Sequence, residues 1–251
     1  MTGKMRDCHV CGGTGKVPAN QPRPKFKPMS REEAGLREWR RVPNKRRAKN
    51  IRSLIVHHNG PQPSLQADTP SFARAIQRYH MSVKGWTDLQ YNAVIGRDGV
   101  VIDVRGVTGD QGAEGKSHWD WADRYAGAGT GWEPIYGLSK PPDGRFDFGK
   151  WSISVICQLG EREDGSNEPP TPAMVESLIA YREYAEAALG HPLYVDVHRS
   201  HQIKNCPGPH LSNLAERGEL GPTIKGVRYT TEEESTNLAL EYLAALKAKA
   251  S

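Results

Sequence analysis

The order of hydrophobic and polar positions divides the chain into short strands and longer helices that alternate. Ile51 to His57 is an apolar, β-branched run that ends in the turn pair Asn59-Gly60. Tyr91 to Ile95 and Val100 to Val104 are two further strands joined through Gly96-Arg97-Asp98-Gly99, a hairpin signal. Trp151 to Leu159 and Tyr194 to His198 supply two more. Between them, Phe72, Ile76 and Tyr79 form the apolar stripe of a helix over 69–81, opened by Thr69 as N-cap with Pro70 at N1. Thr171-Pro172 opens the clearest helix in the same way, and Gly190 stops it after Leu189. Pro209 to about Arg217 is the last helix of this body. Such alternation predicts an α/β fold: a central mixed sheet of five or six strands flanked by the 69–81 and 171–189 helices, with a site in a groove at one sheet edge.

Outside that body the pattern changes. Pro18 to Pro28 is rich in Pro and Lys and reads as an extended linker. Ser30-X-X-Glu33 has the form of a capping box, so a short helix over 31–41 is expected, ended by Pro43. Gly106 to Lys150 is glycine-rich, sustains no period and reads as a long surface insertion. Thr231 to Ala250 is amphipathic, with Glu232 to Glu234 in its first turn and Lys247 and Lys249 in its last, as the helix dipole favours. It is expected to dock on the body, with partner binding as the alternative. The resulting division is a basic extension over 1–49, a main domain over 50–220 and a terminal helix over 221–251.

Composition sharpens this division. The chain has 251 residues with 37% hydrophobic content and a mean hydropathy of −0.66. It contains no run of about 18 apolar residues that could span a membrane. The first residues, Met1 to Cys8, lack the apolar region of a secretory signal, which predicts a protein left in the cytoplasm where it is made. Residues 1–50 carry 14 Lys and Arg against 4 Asp and Glu, a net of +10, and the remainder has a net of −5. A basic head of this kind suits either a solvated tail or a polyanion such as nucleic acid. Phe26 and Trp39 are its only aromatic side chains, too few for a base-stacking surface. Cys8-His9-Val10-Cys11 at its start is half of a zinc-knuckle pattern with no second C-X-X-C to complete it, and reduced thiols are the simpler expectation. Cys157, inside an apolar strand, is expected to be a buried thiol.

The candidate chemistry lies at strand ends. Catalytic zinc takes three protein ligands from His, Cys and carboxylate and leaves a fourth position to water. Val56-His57-His58 ends one strand, Val197-His198 ends another, and Cys206 follows in a loop closed by Pro207 and Gly208. These segments could supply three ligands. His58 and His201 are the neighbouring alternatives to His57 and His198, although strand alternation points His58 away from His57. His80, His191 and His210 are read as surface or capping histidines. Lys204 stands two residues before Cys206, so an extended loop would point both side chains the same way.

Three pieces in order resemble a known family: Val56-His57-His58-Asn59, then Gly85-Trp86-X-Asp88-X-X-Tyr91-Asn92 with Arg97-Asp98-Gly99, and His198 through Lys204 to Cys206-Pro207-Gly208. Together they are similar to the zinc-dependent N-acetylmuramoyl-L-alanine amidases, a group that includes amidase-type phage lysozymes and the peptidoglycan recognition proteins. The resemblance covers about residues 50–218. It implies zinc as cofactor, with His57, His198 and Cys206 as ligands and catalytic roles for Tyr91 and Lys204. In such enzymes the metal polarises the carbonyl and lowers the pKa of its water, and the scissile bond is the amide joining the muramic lactyl group to L-alanine. Lys204 would stabilise the oxyanion, and Tyr91 would bond either the water or that oxyanion.

Two departures matter. The strand over 152–159 carries no glutamate of the muropeptide-recycling relatives, which favours the tyrosine–lysine subgroup. Gly112-Ala113 is followed by Glu114 rather than His, which leaves His118 as a substrate-groove candidate. With the missing signal, the resemblance implies a phage endolysin stored in the host cytoplasm. A non-catalytic peptidoglycan-binding module is the alternative. Inactive members of the family typically lose the cysteine ligand, which this chain keeps.

Overall fold

The structure is a computed structural model and describes residues 5–6, 17–18, 26–60, 66–113, 116–118, 145–160, 167–198 and 206–223, with backbone alone for 5–6, 17–18, 116–118 and 145–148. Cys8, Cys11, His201, Lys204, residues 119–144 of the insertion and the expected 231–250 helix lie outside the described residues.

Five strands build the central sheet: β1 (Ser53–His58), β2 (Ala93–Ile95), β3 (Val101–Asp103), β4 (Ser152–Cys157) and β5 (Tyr194–Val197). Their order is β3-β2-β4-β1-β5. All neighbours are parallel except β2 and β3, which form the antiparallel hairpin read from Gly96 to Gly99. Within the insertion, Lys116–His118 pairs with Arg145–Asp147, a short ribbon that the sequence pattern did not predict.

Strand alternation sends side chains to two separate cores. Leu54, Val56, Ile153, Val155, Val195 and Val197 pack with Met174, Leu178 and Tyr181 of α2 (Pro172–Leu189) and with Leu211 and Ala215 of α3 (Pro209–Glu216). On the opposite face, Val94, Ile102 and Ile156 pack with Phe72, Ala73 and Ile76 of α1 (Thr69–Arg78). Helices therefore cover both faces of the sheet, as expected. Thr171 caps α2 by accepting from the Met174 amide, and Gly190 ends it at φ +78°.

Three local expectations need correction. The N-cap of α1 is Asp68, whose carboxylate accepts from the Ser71 amide at 2.7 Å, which also holds its pKa down. Thr69 is thereby released to hydrogen-bond Asp98 in the hairpin turn. Gly96 is required at that contact, because a Cβ there would lie 1.6 Å from the Thr69 hydroxyl.

The apolar stripe of α1 also ends early. Tyr79 is 48% exposed. The helix widens into a π turn over Tyr79–Val83, so His80 and Met81 are buried instead.

Finally, no helix spans 31–41. The capping box forms as read, with Ser30 and Glu33 exchanging backbone-to-side-chain bonds. Gly35 then adopts φ +65°, and the bonds from Gly35 to Glu32 and from Leu36 to Arg31 close a Schellman motif after one turn.

Residues 26–49, assigned from charge to the N-terminal extension, pack onto the body. Met29 pairs along β3, and Arg31 bonds Asp88. The Arg46 guanidinium reaches the backbone carbonyls of Gly149 and Ser152. Met29 at one edge of the sheet and Pro222-Thr223 at the other cover strand edges that would otherwise be open.

Candidate metal centre

His57 and His198 come together because of strand register. β1 and β5 run parallel, and their last paired residues are Val56 and Val197. The residue that follows each of them in the chain is a histidine, so the two rings stand side by side with centroids 4.4 Å apart. Alternation puts both on the face opposite Val56 and Val197. The site therefore sits at the carboxyl ends of β1 and of β5, the strand at one edge of the sheet.

Cys206 enters from the turn that leads into α3. Its sulfur lies 3.7 Å from His57 Nδ1 and accepts from the His58 amide at 3.3 Å. Gly208 shapes that turn at φ +86°, where a Cβ would come within 2.7 Å of the Asn167 side chain.

Ligand atoms of His57, His198 and Cys206 all lie within 4.8 Å of one another, and all three residues are buried. Among the described residues no other group of His, Cys and carboxylates gathers in this way. The donor set fits zinc. Bond lengths of about 2.0–2.1 Å to nitrogen and about 2.3 Å to sulfur in a tetrahedron require an N-to-S separation of about 3.6 Å. The His57-to-Cys206 distance matches that value. The other nitrogen of His57 is engaged as well, with Nε2 2.8 Å from the Ser154 hydroxyl.

The remaining candidates divide. Tyr91 stands at the site, its ring edge-on to His57 with centroids 5.1 Å apart. Lys204 falls outside the described residues, and only the backbone of His118 is described. His58 is turned away and accepts from the Gly60 amide at 2.6 Å. His191 bonds the Ala48 carbonyl, and His210 is exposed on α3. Cys157 is a buried free thiol whose pKa burial raises.

His80 is not a surface histidine. It is buried on the π turn between Trp86, at 4.5 Å, and Tyr91, at 6.0 Å, and it accepts from the Gln90 amide. Burial holds its pKa down to about 4. Asp88 opposes that shift and Lys84 adds to it. The ring is thus neutral and forms the floor behind Tyr91. Asp88, which belongs to the Gly85-to-Asn92 motif, accepts from Arg31 and Gln77 and fixes the loop that carries Tyr91.

The fold and site define a class: an α/β protein with a mixed five-stranded sheet and a preassembled His-His-Cys cluster fitted to a transition metal. Comparison with known proteins narrows the class. The chain is 40% identical over 161 residues to peptidoglycan-recognition protein SC1a of Drosophila melanogaster, a match covering 63% of this chain and 69% of that one. It belongs to the peptidoglycan recognition protein family.

Peptidoglycan recognition protein 1 of Bos indicus is 31% identical over 86 residues, 34% of this chain and 38% of that relative, so the match spans well under half of that protein. Human N-acetylmuramoyl-L-alanine amidase is 43% identical over 56 residues, 21% of this chain and 10% of that enzyme. No protein-family model matches the chain.

Among solved structures, Drosophila PGRP-LB shares the fold with a TM-score of 0.55 at 19% identity, covering 79% of this chain and 98% of that one. PGRP-LE, solved in complex with tracheal cytotoxin, has a TM-score of 0.55 at 16% identity over 80% and 96%. Among the described residues, no helix is long and apolar enough to cross a membrane.

Proposed function

We propose that this protein is a zinc-dependent N-acetylmuramoyl-L-alanine amidase that cuts the amide between the muramic lactyl group and L-alanine in peptidoglycan. The observation that carries the reading is the buried cluster of His57, His198 and Cys206, whose ligand atoms lie within 4.8 Å of one another. Family membership supplies the substrate class. A zinc ion held by these residues would supply Lewis acidity toward the scissile carbonyl and a water acidified into the neutral range.

The chain's own residues do the rest. His57 and His198 are held by strand register, and Cys206 is held by the His58 amide. Tyr91, backed by the neutral His80 ring, offers its hydroxyl to the reacting groups. Lys204, two residues before Cys206 in the sequence, is assigned to the developing oxyanion. One well-placed donor in such a role contributes about 3–4 kcal/mol. The biological setting consistent with this reading is a phage endolysin, made in the host cytoplasm and acting on the wall after release.

The test is release of new amino termini from purified cell wall, with and without chelator, by wild type and by Cys206→Ser. Activity that needs zinc and is lost in the variant is the expected outcome. If folded, zinc-loaded protein binds the wall but releases no amino termini, the alternative of a recognition module replaces the enzyme. Full metal and full activity in Cys206→Ser would overturn the ligand assignment.

A further inference from the structure

We infer that Ser154 is a positioning residue for His57: its hydroxyl holds the imidazole so that Nδ1, and not Nε2, faces the metal position. The inference deepens the zinc reading above and rests on it. Ser154 lies on β4, fully buried, with its hydroxyl 2.8 Å from His57 Nε2. On the far side of the same ring, Nδ1 points at the Cys206 sulfur at 3.7 Å. Turning the ring over would set carbon atoms against both partners and lose both contacts at once.

The hydroxyl itself is rigidly mounted. Asn92 clasps the Ser154 backbone from both sides, accepting from its amide at 2.9 Å and donating to its carbonyl at 2.8 Å. The Asn92 side-chain amide is in turn fixed to the carbonyls of Gly106 and Gly109. Ser154 therefore cannot drift away from the ring without breaking a buried network.

A hydroxyl can either accept or donate. When it accepts the Nε2 proton, Nδ1 carries its lone pair toward Cys206, which is the arrangement a metal requires. Partners of this kind orient ligating histidines, and their loss typically weakens metal binding by about 10–100-fold. The same hydroxyl gives His57 a neutral partner in a strand that carries no carboxylate.

The experiment compares zinc affinity, measured by chelator competition, in wild type, Ser154→Thr and Ser154→Val. Thr and Val have the same shape, so any strain from the added methyl is common to both, and only the hydroxyl differs. The Val variant is expected to bind zinc about 10–100-fold more weakly than the Thr variant. Imidazole nitrogen spectra of the zinc-loaded Thr variant should show His57 protonated at Nε2 and ligating through Nδ1. Equal affinities of the Thr and Val variants within twofold, or zinc on Nε2, would overturn the role of Ser154 alone. Failure of the wild type to take up zinc would overturn the zinc reading and this inference with it.

Discussion

Arg31 and Asp88 give the most direct test of how the site loop is held. Their ion pair is 2.8 Å long, with side-chain exposures of 10% and 0%. Arg31 also donates to the carbonyls of Val104 and Arg37, and its guanidinium lies 4.6 Å from the centre of the Trp39 ring. Arg31→Met keeps the aliphatic volume but leaves the Asp88 carboxylate buried with Gln77 as its remaining side-chain donor. Removing one partner of a buried pair costs about 3–5 kcal/mol, a large share of the roughly 5–15 kcal/mol that holds a typical domain. At about 2–4 °C per kcal/mol for a domain of this size, the melting midpoint should fall by roughly 6–20 °C. The double variant Arg31→Met/Asp88→Leu should recover much of the loss, because it leaves no orphaned charge. Arg37→Met, whose side chain is exposed, should stay within about 0.5 kcal/mol of wild type. Urea unfolding followed by tryptophan fluorescence measures these proteins together with the single variant Asp88→Leu. A loss below about 1 kcal/mol for Arg31→Met, or a double variant equal to the sum of its singles, would refute the reasoning.

His80 predicts a pH signature. Its folded pKa of about 4 lies below the ordinary 6.5, so on acidification the unfolded chain takes up this proton first. The stability it contributes is complete above about pH 6.5 and is lost as pH falls toward 4. In zinc-free protein, the stability of wild type relative to His80→Phe should therefore drop by up to about 3 kcal/mol between pH 7 and pH 4 in chemical unfolding. A difference that stays flat with pH would show that the buried imidazole is not the source. Gly208→Ala should cost about 1–3 kcal/mol in a thermal melt and weaken zinc binding, since φ +86° and the nearby Asn167 side chain leave no room for a Cβ. A neutral effect on both measurements would mean that the turn carrying Cys206 is not constrained there.

The five strands were legible because each is short, apolar and bounded by turn residues, and register then follows from burial on two faces. The flanking helices were legible for the same reason. What the pattern concealed was geometry that depends on one residue or on a distant partner. Gly35 cuts the expected 31–41 helix to a single turn, although the capping box before it forms. The π turn moved the buried row of α1 from Tyr79 to His80. A signal for His80 was present, since Phe72, Ile76 and His80 repeat every four residues as regularly as any helical stripe. Ser154 carried a fainter signal, a small polar side chain alternating with Ile153 and Val155 in an otherwise apolar strand.

The chemistry of the site depends on a fact that spacing alone could not supply, namely which strands flank β1. Two histidines at strand ends are neighbours only if their strands are adjacent, parallel and in register, and all three conditions are non-local. Here β4 continues through α2 into β5, yet β5 pairs with β1 and not with β4. That crossover places β1 between them. His57 then receives His198 from β5 on one side and the Ser154 hydroxyl from β4 on the other. Had β5 paired with β4 instead, His198 would lie a strand further away and the cluster could not close. The same insertion of β1 explains why Asn92 matters at a distance: by clasping β4 at Ser154 it fixes the strand that fixes His57, and it is separated from Tyr91 by a single peptide bond. Strand order therefore brings the His57, His198 and Cys206 cluster, the Ser154 contact to His57 and the placement of Tyr91 into one connected network.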